Sequence, residues 1–240
     1  MTQEIQRVTN GETIKHDGDL TITEAIEDGA TIIVTDGNLT VRNGVKIGKD
    51  VHLQTIRNQS KDDKSCNVFC YSEPGNSAFI SSDNVIFLNA CNNDTQLFAL
   101  HFVRVTFTGS NCTIKSDGDV LAGVVYDDTT ISAAGSVTVN DIHKNVKINA
   151  DKDIHLNSYA AKNSKLNAKR DIHVRGYLGI SCTVSAGNNL YMEEVFYNRD
   201  DLVFKIGNEI HLFEDQFAVQ PVRIITPKPS QKPKKRLTLS

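Results

Sequence analysis

The chain has 240 residues, of which 39% are hydrophobic and none is Trp, and its formal net charge is −3. It contains no run of about 18 uncharged apolar residues, which excludes a transmembrane helix. Residues 226–240 carry five Lys or Arg and no acid, so residues 1–225 carry a charge of −8. This acidic body argues against nucleic-acid binding along its length.

The N-terminal residues are polar and lack the apolar stretch of a signal peptide. We therefore expect a soluble, cytoplasmic protein, with export without a cleaved signal peptide as the alternative. The five cysteines are not spaced as a disulfide framework or as a zinc signature, so reduced thiols are expected. Cys112 and Cys182 each precede an apolar couplet and are predicted to be small core residues.

In chain order, residues 1–17 are predicted to form an N-terminal cap. The segments DGDLTI at 17–22 and DGNLTV at 36–41 then share one motif: Gly, then Asp or Asn, then two apolar residues separated by one polar residue. Alternation of apolar and polar residues is typical of a strand with one buried face. The repeat region is therefore predicted to begin at about residue 18.

Residues 56–77 interrupt this pattern, because they are polar and contain Gly, Pro and Ser. We interpret them as an insertion loop, and loops on a rigid scaffold often carry binding residues. The segment 85–109 is richer in Phe and Leu than the other repeats. It is expected to hold the widest part of the core, or alternatively an exposed apolar patch used for self-association.

The strongest signal is an internal repeat in the second half of the chain. Residues 146–163 and 164–181 are identical at seven of eighteen positions, and 129–145 and 182–199 keep the same pattern of residue types. A period of 17–18 residues is shorter than the helical repeats of about 33–47 residues. Period-two apolar couplets instead predict an all-β, single-stranded parallel β-helix, or β-solenoid, over residues 18–225, which we expect to be right-handed.

In such a coil, equivalent residues of successive turns lie about 4.8 Å apart. Ala150, Ala168 and Ala186 are then predicted to stack at one corner of the coil. The Asn pairs 145/163 and 149/167 are predicted to form ladders of side-chain amides, since Asn tolerates tight bends and bonds from coil to coil.

The repeat also places histidines in a column. His155 and His173 are one period apart and outward-facing, with Asp153 and Asp171 two residues earlier in each coil. Further residues assigned to the same motif position as the histidines are His52, Thr138, Tyr191 and His211. A divalent cation held by this column is conceivable, but no third ligand is specified, so no metal or cofactor is assigned and a tolerated solvent-facing residue is the preferred interpretation.

No catalytic residue is assigned, because the sequence lacks the common nucleophile, zinc-protease, phosphate-loop and dinucleotide motifs. An acidic column of Asp119, Asp153, Asp171 and Glu209 is compatible with a carbohydrate-directed β-helix enzyme. The preferred interpretation is that an acid at this position orders the turn before each strand through hydrogen bonds to the backbone.

The segments DGDLTI, DGNLTV, AAGSVTV, ADKDIHL and SAGNNLYM resemble the repeat units of bacterial β-solenoids. The motif is similar to filamentous-haemagglutinin repeats, and the compact coil with its Pro/Lys-rich tail is similar to bactofilins, which form cytoskeletal polymers. The resemblance covers about 18–55 and 80–212 and implies self-assembly or adhesion.

We therefore expect a non-enzymatic scaffold that offers a rigid face to a protein partner or to copies of itself. The alternatives are a carbohydrate-directed β-helix enzyme or lectin, and a translocated bacterial effector or adhesin-like protein. Residues 226–240 are predicted to be a disordered, basic tail that is able to touch an anionic surface.

Overall fold

The computed structural model describes residues 2–58, 65–197, 202–213 and 223–225. Within them the chain forms strands joined by tight turns, and these strands wind a parallel β-solenoid of about 11 turns. The all-β solenoid fold predicted from the repeat is confirmed. No helix in this part of the chain is long and apolar enough to cross a membrane.

The strands belong to two parallel sheets, here called sheet A and sheet B. Sheet A contains Gln3–Val8 (β1), Leu20–Ile26 (β3), Leu39–Val41 (β5), Lys46–Ile47 (β6), Val68–Cys70 (β8), Val85–Ala90 (β10), Phe102–Phe107 (β12), Asp119–Val125 (β14), Val137–Ile142 (β16), Ile154–Ala160 (β18), Ile172–Leu178 (β20), Leu190–Tyr197 (β22) and Ile210–Phe213 (β24). Sheet B contains Thr13–Asp17 (β2), Thr31–Thr35 (β4), His52–Ile56 (β7), Phe79–Ser82 (β9), Gln96–Ala99 (β11), Thr113–Ser116 (β13), Thr130–Ala133 (β15), Lys147–Ala150 (β17), Lys165–Ala168 (β19), Thr183–Ala186 (β21), Val203–Ile206 (β23) and Arg223–Ile225 (β25).

Each full turn consists of one strand of sheet A followed by one strand of sheet B. Pairing between turns is parallel and in register, as Ile154 with Ile172 in sheet A and Ile148 with Leu166 in sheet B illustrate. β3 pairs with both β5 and β6, so the long strand of one turn is matched by two short strands in the next. Insertions are therefore accommodated at the bends and leave the pairing intact.

One continuous apolar core fills the interior, because alternate residues of most strands from β4 to β21 point inward. The largest fully buried side chains are aliphatic, among them Leu20, Ile80 and Ile131. Cys112 and Cys182 are also buried, as predicted. In the segment 85–109, by contrast, Phe87, Phe98 and Phe102 are only partly buried and Phe107 is exposed, so these rings do not fill the core.

The corners follow the predicted chemistry. Ala150, Ala168 and Ala186 are buried in register at the ends of their strands. Asn163 donates from Nδ2 to Oδ1 of Asn145 at 3.2 Å. The Asn at these corners adopts a left-handed φ, 59° at 145 and 61° at 163, a conformation that Asn tolerates better than most residues.

The structure adds detail to two predicted segments. Within the predicted cap at 1–17, β1 and β2 form a first turn that pairs with β3 and β4. The loop predicted at 56–77 contains β8, which lies in register between β5 and β10. Of that loop, residues 59–64 lie outside the described part of the chain, as does the predicted tail 226–240.

Candidate functional site: the outer face of sheet A

The outer face of sheet A carries a continuous column of side chains, one from each turn between β3 and β24. The register of successive strands brings together Thr21, Thr40, Phe69, Phe87, Arg104, Leu121, Thr138, His155, His173, Tyr191 and His211. We call this the ladder column. It includes His155 and His173, together with the Thr138, Tyr191 and His211 that the motif assigned to the same position.

The C-terminal end of the ladder column is a stack of four rings. His155 and His173 stack with centroids 4.7 Å apart, His173 and Tyr191 at 4.5 Å, and Tyr191 and His211 at 4.6 Å. The interplanar angles are 17°, 8° and 7°. The rings therefore lie face to face along the solenoid and turn their edges outward.

His52 does not join this stack, contrary to its assignment from the motif. It lies on β7 in sheet B, where its ring meets Phe79 edge-on with centroids 4.6 Å apart. Burial lowers the pKa of His52. The motif misled because an apolar–polar–apolar triplet occurs in the strands of both sheets.

The surroundings of His173 favour its neutral form. The pKa of His173 is lowered, first by partial burial and then by the charge of His155, although Asp171, Asp153 and Glu193 oppose the shift. Rings stacked in parallel direct their nitrogens side by side and not toward one point. In the described residues, no group of three or more His, Cys, Asp or Glu is placed to hold a metal ion.

The predicted acidic column has a structural use. In successive turns, the side-chain oxygen at this position accepts the backbone N–H of the equivalent residue: Asp119 from Ser136 at 2.7 Å, Asp153 from Asp171 at 3.2 Å, and Asp171 from Asn189 at 2.9 Å. Asp153 also lies 3.4 Å from Nε of Arg170. The hydrogen bonds agree with the turn-ordering interpretation of these acids.

A groove opens at the N-terminal end of the ladder column, where sequence reasoning expected a loop. It encloses about 680 Å³ and lies between that column and the next outward row of side chains. Its walls carry the side chains of Thr40, Phe69, Phe87 and Arg104 on one side and of Arg42, Tyr71, Asn89 and Thr106 on the other. The rings of Phe69 and Phe87 stack at 5.4 Å.

The groove escaped prediction because β8 was interpreted as part of a loop. The signal was present, since Val68–Cys70 alternates buried and partly buried residues, as Leu39–Val41 does in the preceding turn. A third row of outward residues follows the bend of sheet A. There Phe107, Val124, Asp141, Tyr159 and Tyr177 lie in register.

The fold defines the chain as a parallel β-solenoid. No family model, curated protein or solved structure matches the chain.

Proposed function

We propose that the chain is a non-enzymatic scaffold that uses the rigid faces of its solenoid for protein–protein contact, with other copies of itself as the first partner to test. The observation that carries the proposal is an exposed strip of aromatic side chains beyond the bend of sheet A. We define this aromatic strip as Phe107, Tyr126, Tyr159 and Tyr177. Phe107 is 46% exposed, and Tyr126 and Tyr159 are each 40% exposed.

The strip is ordered as well as exposed. Tyr159 and Tyr177 stack with centroids 5.4 Å apart, and Tyr126 lies against His143 at 4.4 Å. Phe107 and Tyr126 line one shallow depression. Val124 and Asp141 lie in register between Phe107 and Tyr159, so the strip presents two aromatic patches on one row of the surface. Exposed aromatic patches favour protein contact, because such rings bury large area with little loss of side-chain freedom.

The non-enzymatic part of the proposal is supported by the use of the repeated acids. Asp119, Asp153 and Asp171 accept hydrogen bonds from the backbone of the next turn. This accounts for an acid in turn after turn without a catalytic role.

Sedimentation velocity over a concentration series tests self-association. The wild-type chain is expected to associate, and Phe107→Ser with Tyr159→Ser is expected to weaken association about tenfold or more. The matched control is Leu100→Ser with Leu121→Ser, which also removes two large exposed side chains but lies outside the strip. A control variant that weakens association equally would place the contact elsewhere.

A wild-type chain that stays monomeric at every concentration would exclude self-association. A photo-crosslinking residue at position 159, compared with one at 132 on sheet B, then tests for a different protein partner. A single protein crosslinked from 159 and not from 132 supports the scaffold, whereas identical products from both positions contradict it.

End-to-end assembly is the second form of self-association in the proposal. β1 and β2 are the first strands of their sheets, and each pairs on one side only within the described residues. Unpaired strand edges are templates for another chain. Negative-stain microscopy with and without residues 226–240 distinguishes long filaments, as in the bactofilins that the repeats resemble, from compact particles.

A further inference from the structure

We propose that the groove on sheet A is a binding site for an amphipathic anion, meaning a carboxylate, sulfonate or similar group carried on an apolar or aromatic body. The groove lies on a different row of the surface from the aromatic strip. The proposal therefore does not depend on the scaffold function, and either can fail alone.

The size and lining of the groove suit a small organic ligand. Its volume of about 680 Å³ lies within the range of roughly 300–1,000 Å³ usual for ligand sites. Phe69, Phe87 and Tyr71 supply an aromatic surface, and Tyr71 is 53% exposed. Asn43 and Asn89 add amide groups at the wall.

The charge of the groove is unusual for this protein. Residues 1–225 carry a net charge of −8, yet among the residues that the structure describes two arginines and no carboxylate line the groove. The edges of stacked aromatic rings also carry the positive part of the ring quadrupole. The groove thus favours an anion on a surface that is otherwise acidic overall.

The two arginines differ in whether their charge is already paired with a carboxylate. Arg42 forms an ion pair with Glu4 toward the N-terminal end, so its charge is compensated. Arg104 is exposed and has no ion pair or hydrogen bond with any residue that the structure describes. Its guanidinium can therefore donate two parallel hydrogen bonds to the oxygens of a carboxylate or sulfonate.

The position of Arg104 defines how a ligand would lie. Arg104 follows Phe87 in the ladder column, and Phe87 follows Phe69, so the cation lies at the end of an aromatic wall. An apolar body is expected to lie over Phe69, Phe87 and Tyr71, with its anionic group at Arg104. The groove is therefore expected to select ligands that carry both an apolar body and an anionic group.

A pair of fluorescent probes tests both parts on the wild-type chain. 1-Anilinonaphthalene-8-sulfonate and N-phenyl-1-naphthylamine share one ring system, and only the first carries an anionic group. We expect the sulfonate to bind at one saturable site about tenfold more tightly than the neutral probe, and added salt to narrow the difference. Equal affinity for the two probes, or no saturable binding of the sulfonate, would overturn the proposal.

Variants locate the site. Arg104→Gln is expected to weaken the sulfonate about tenfold and the neutral probe less than twofold, while Tyr71→Ser weakens both. The control Lys115→Gln removes an exposed cation that lies over Phe98 on sheet B and is expected to change neither. Sulfonate binding that Arg104→Gln leaves unchanged would place the probe elsewhere and refute the assignment.

Discussion

The imidazole rings of His155 and His173 stack on successive turns, with centroids 4.7 Å apart and planes 17° from parallel. Tyr191 continues the stack on the next turn. Two imidazoles this close cannot both carry a proton without mutual repulsion. We therefore expect acid to weaken this stack.

Acid is expected to destabilise the fold, and His173→Gln is expected to reduce the effect. The folded chain holds the pKa of His173 below the model-peptide value of 6.5, through burial and the charge of His155. The unfolded chain then binds more protons, so the stabilisation is complete above pH 6.5 and is lost as the pH falls through the folded pKa. Melting temperatures between pH 8 and pH 5 measure this.

His52 adds a pH dependence of the same sign, because burial lowers its pKa as well. The effect of the stack is therefore measured by comparing His173→Gln with a second His→Gln variant. His101→Gln is the control, since His101 is exposed and stacks on no ring among the described residues. A pH dependence of His173→Gln that equals that of the control would contradict the role of the stack.

Asp171→Ala is expected to lower the free energy of unfolding by about 1–2 kcal/mol. Oδ1 of Asp171 accepts from the backbone N–H of Asn189 and from Nδ2 of Asn188, both at 2.9 Å, and alanine leaves both donors without this partner. Asp171→Asn keeps an oxygen in the same place and is expected to cost much less. Chemical denaturation of the wild type and the two variants measures the free energies of unfolding. Equal losses of stability in both variants would rule out the hydrogen-bonding role.

Gly187→Ala is expected to cost about 1–3 kcal/mol through steric overlap between turns. A Cβ at this position would lie 2.2 Å from the carbonyl oxygen of Lys169 on the preceding turn, so the two turns must separate locally. Ser185→Ala, two residues earlier on the same turn, is the control and is expected to change stability little. Thermal unfolding of both variants is the measurement, and a stable Gly187→Ala variant would show that the turns can part without cost.

Cys70 and Cys182 are expected to resist alkylation in the folded protein. Burial raises the pKa of Cys70 to about 12 and also raises the pKa of Cys182, so little reactive thiolate forms at pH 8. Iodoacetamide labelling followed by peptide mass mapping should find both unmodified in buffer and modified in urea. Rapid labelling of either residue in buffer would indicate that the core opens locally.

The repeat made the regular half of the molecule predictable. Because residues 146–163 and 164–181 align without gaps, the stacking of His155 on His173 follows from an 18-residue period. The same period, counted back by one turn, places Asn163 on Asn145. Each pair is confirmed by a contact, at 4.7 Å between ring centroids and 3.2 Å between amide atoms.

The irregular half was less predictable. His52 was assigned to the wrong sheet, because one triplet motif describes the strands of both sheets. Val68–Cys70 was interpreted as loop, because polar residues flank it and a strand of three residues has little pattern of its own. Only its pairing with β5 and β10 identifies it as part of a turn.

Sequence alone determined the repeat length, the inward and outward alternation, and the corner residues, because each of these depends on neighbours within one turn and on one repeated period. The tertiary structure decided which side chains meet across turns of unequal length. Register between distant segments is set by backbone pairing and not by local pattern. That register brings Phe69, Phe87 and Arg104 into one column, and it is why the groove was visible only in the fold.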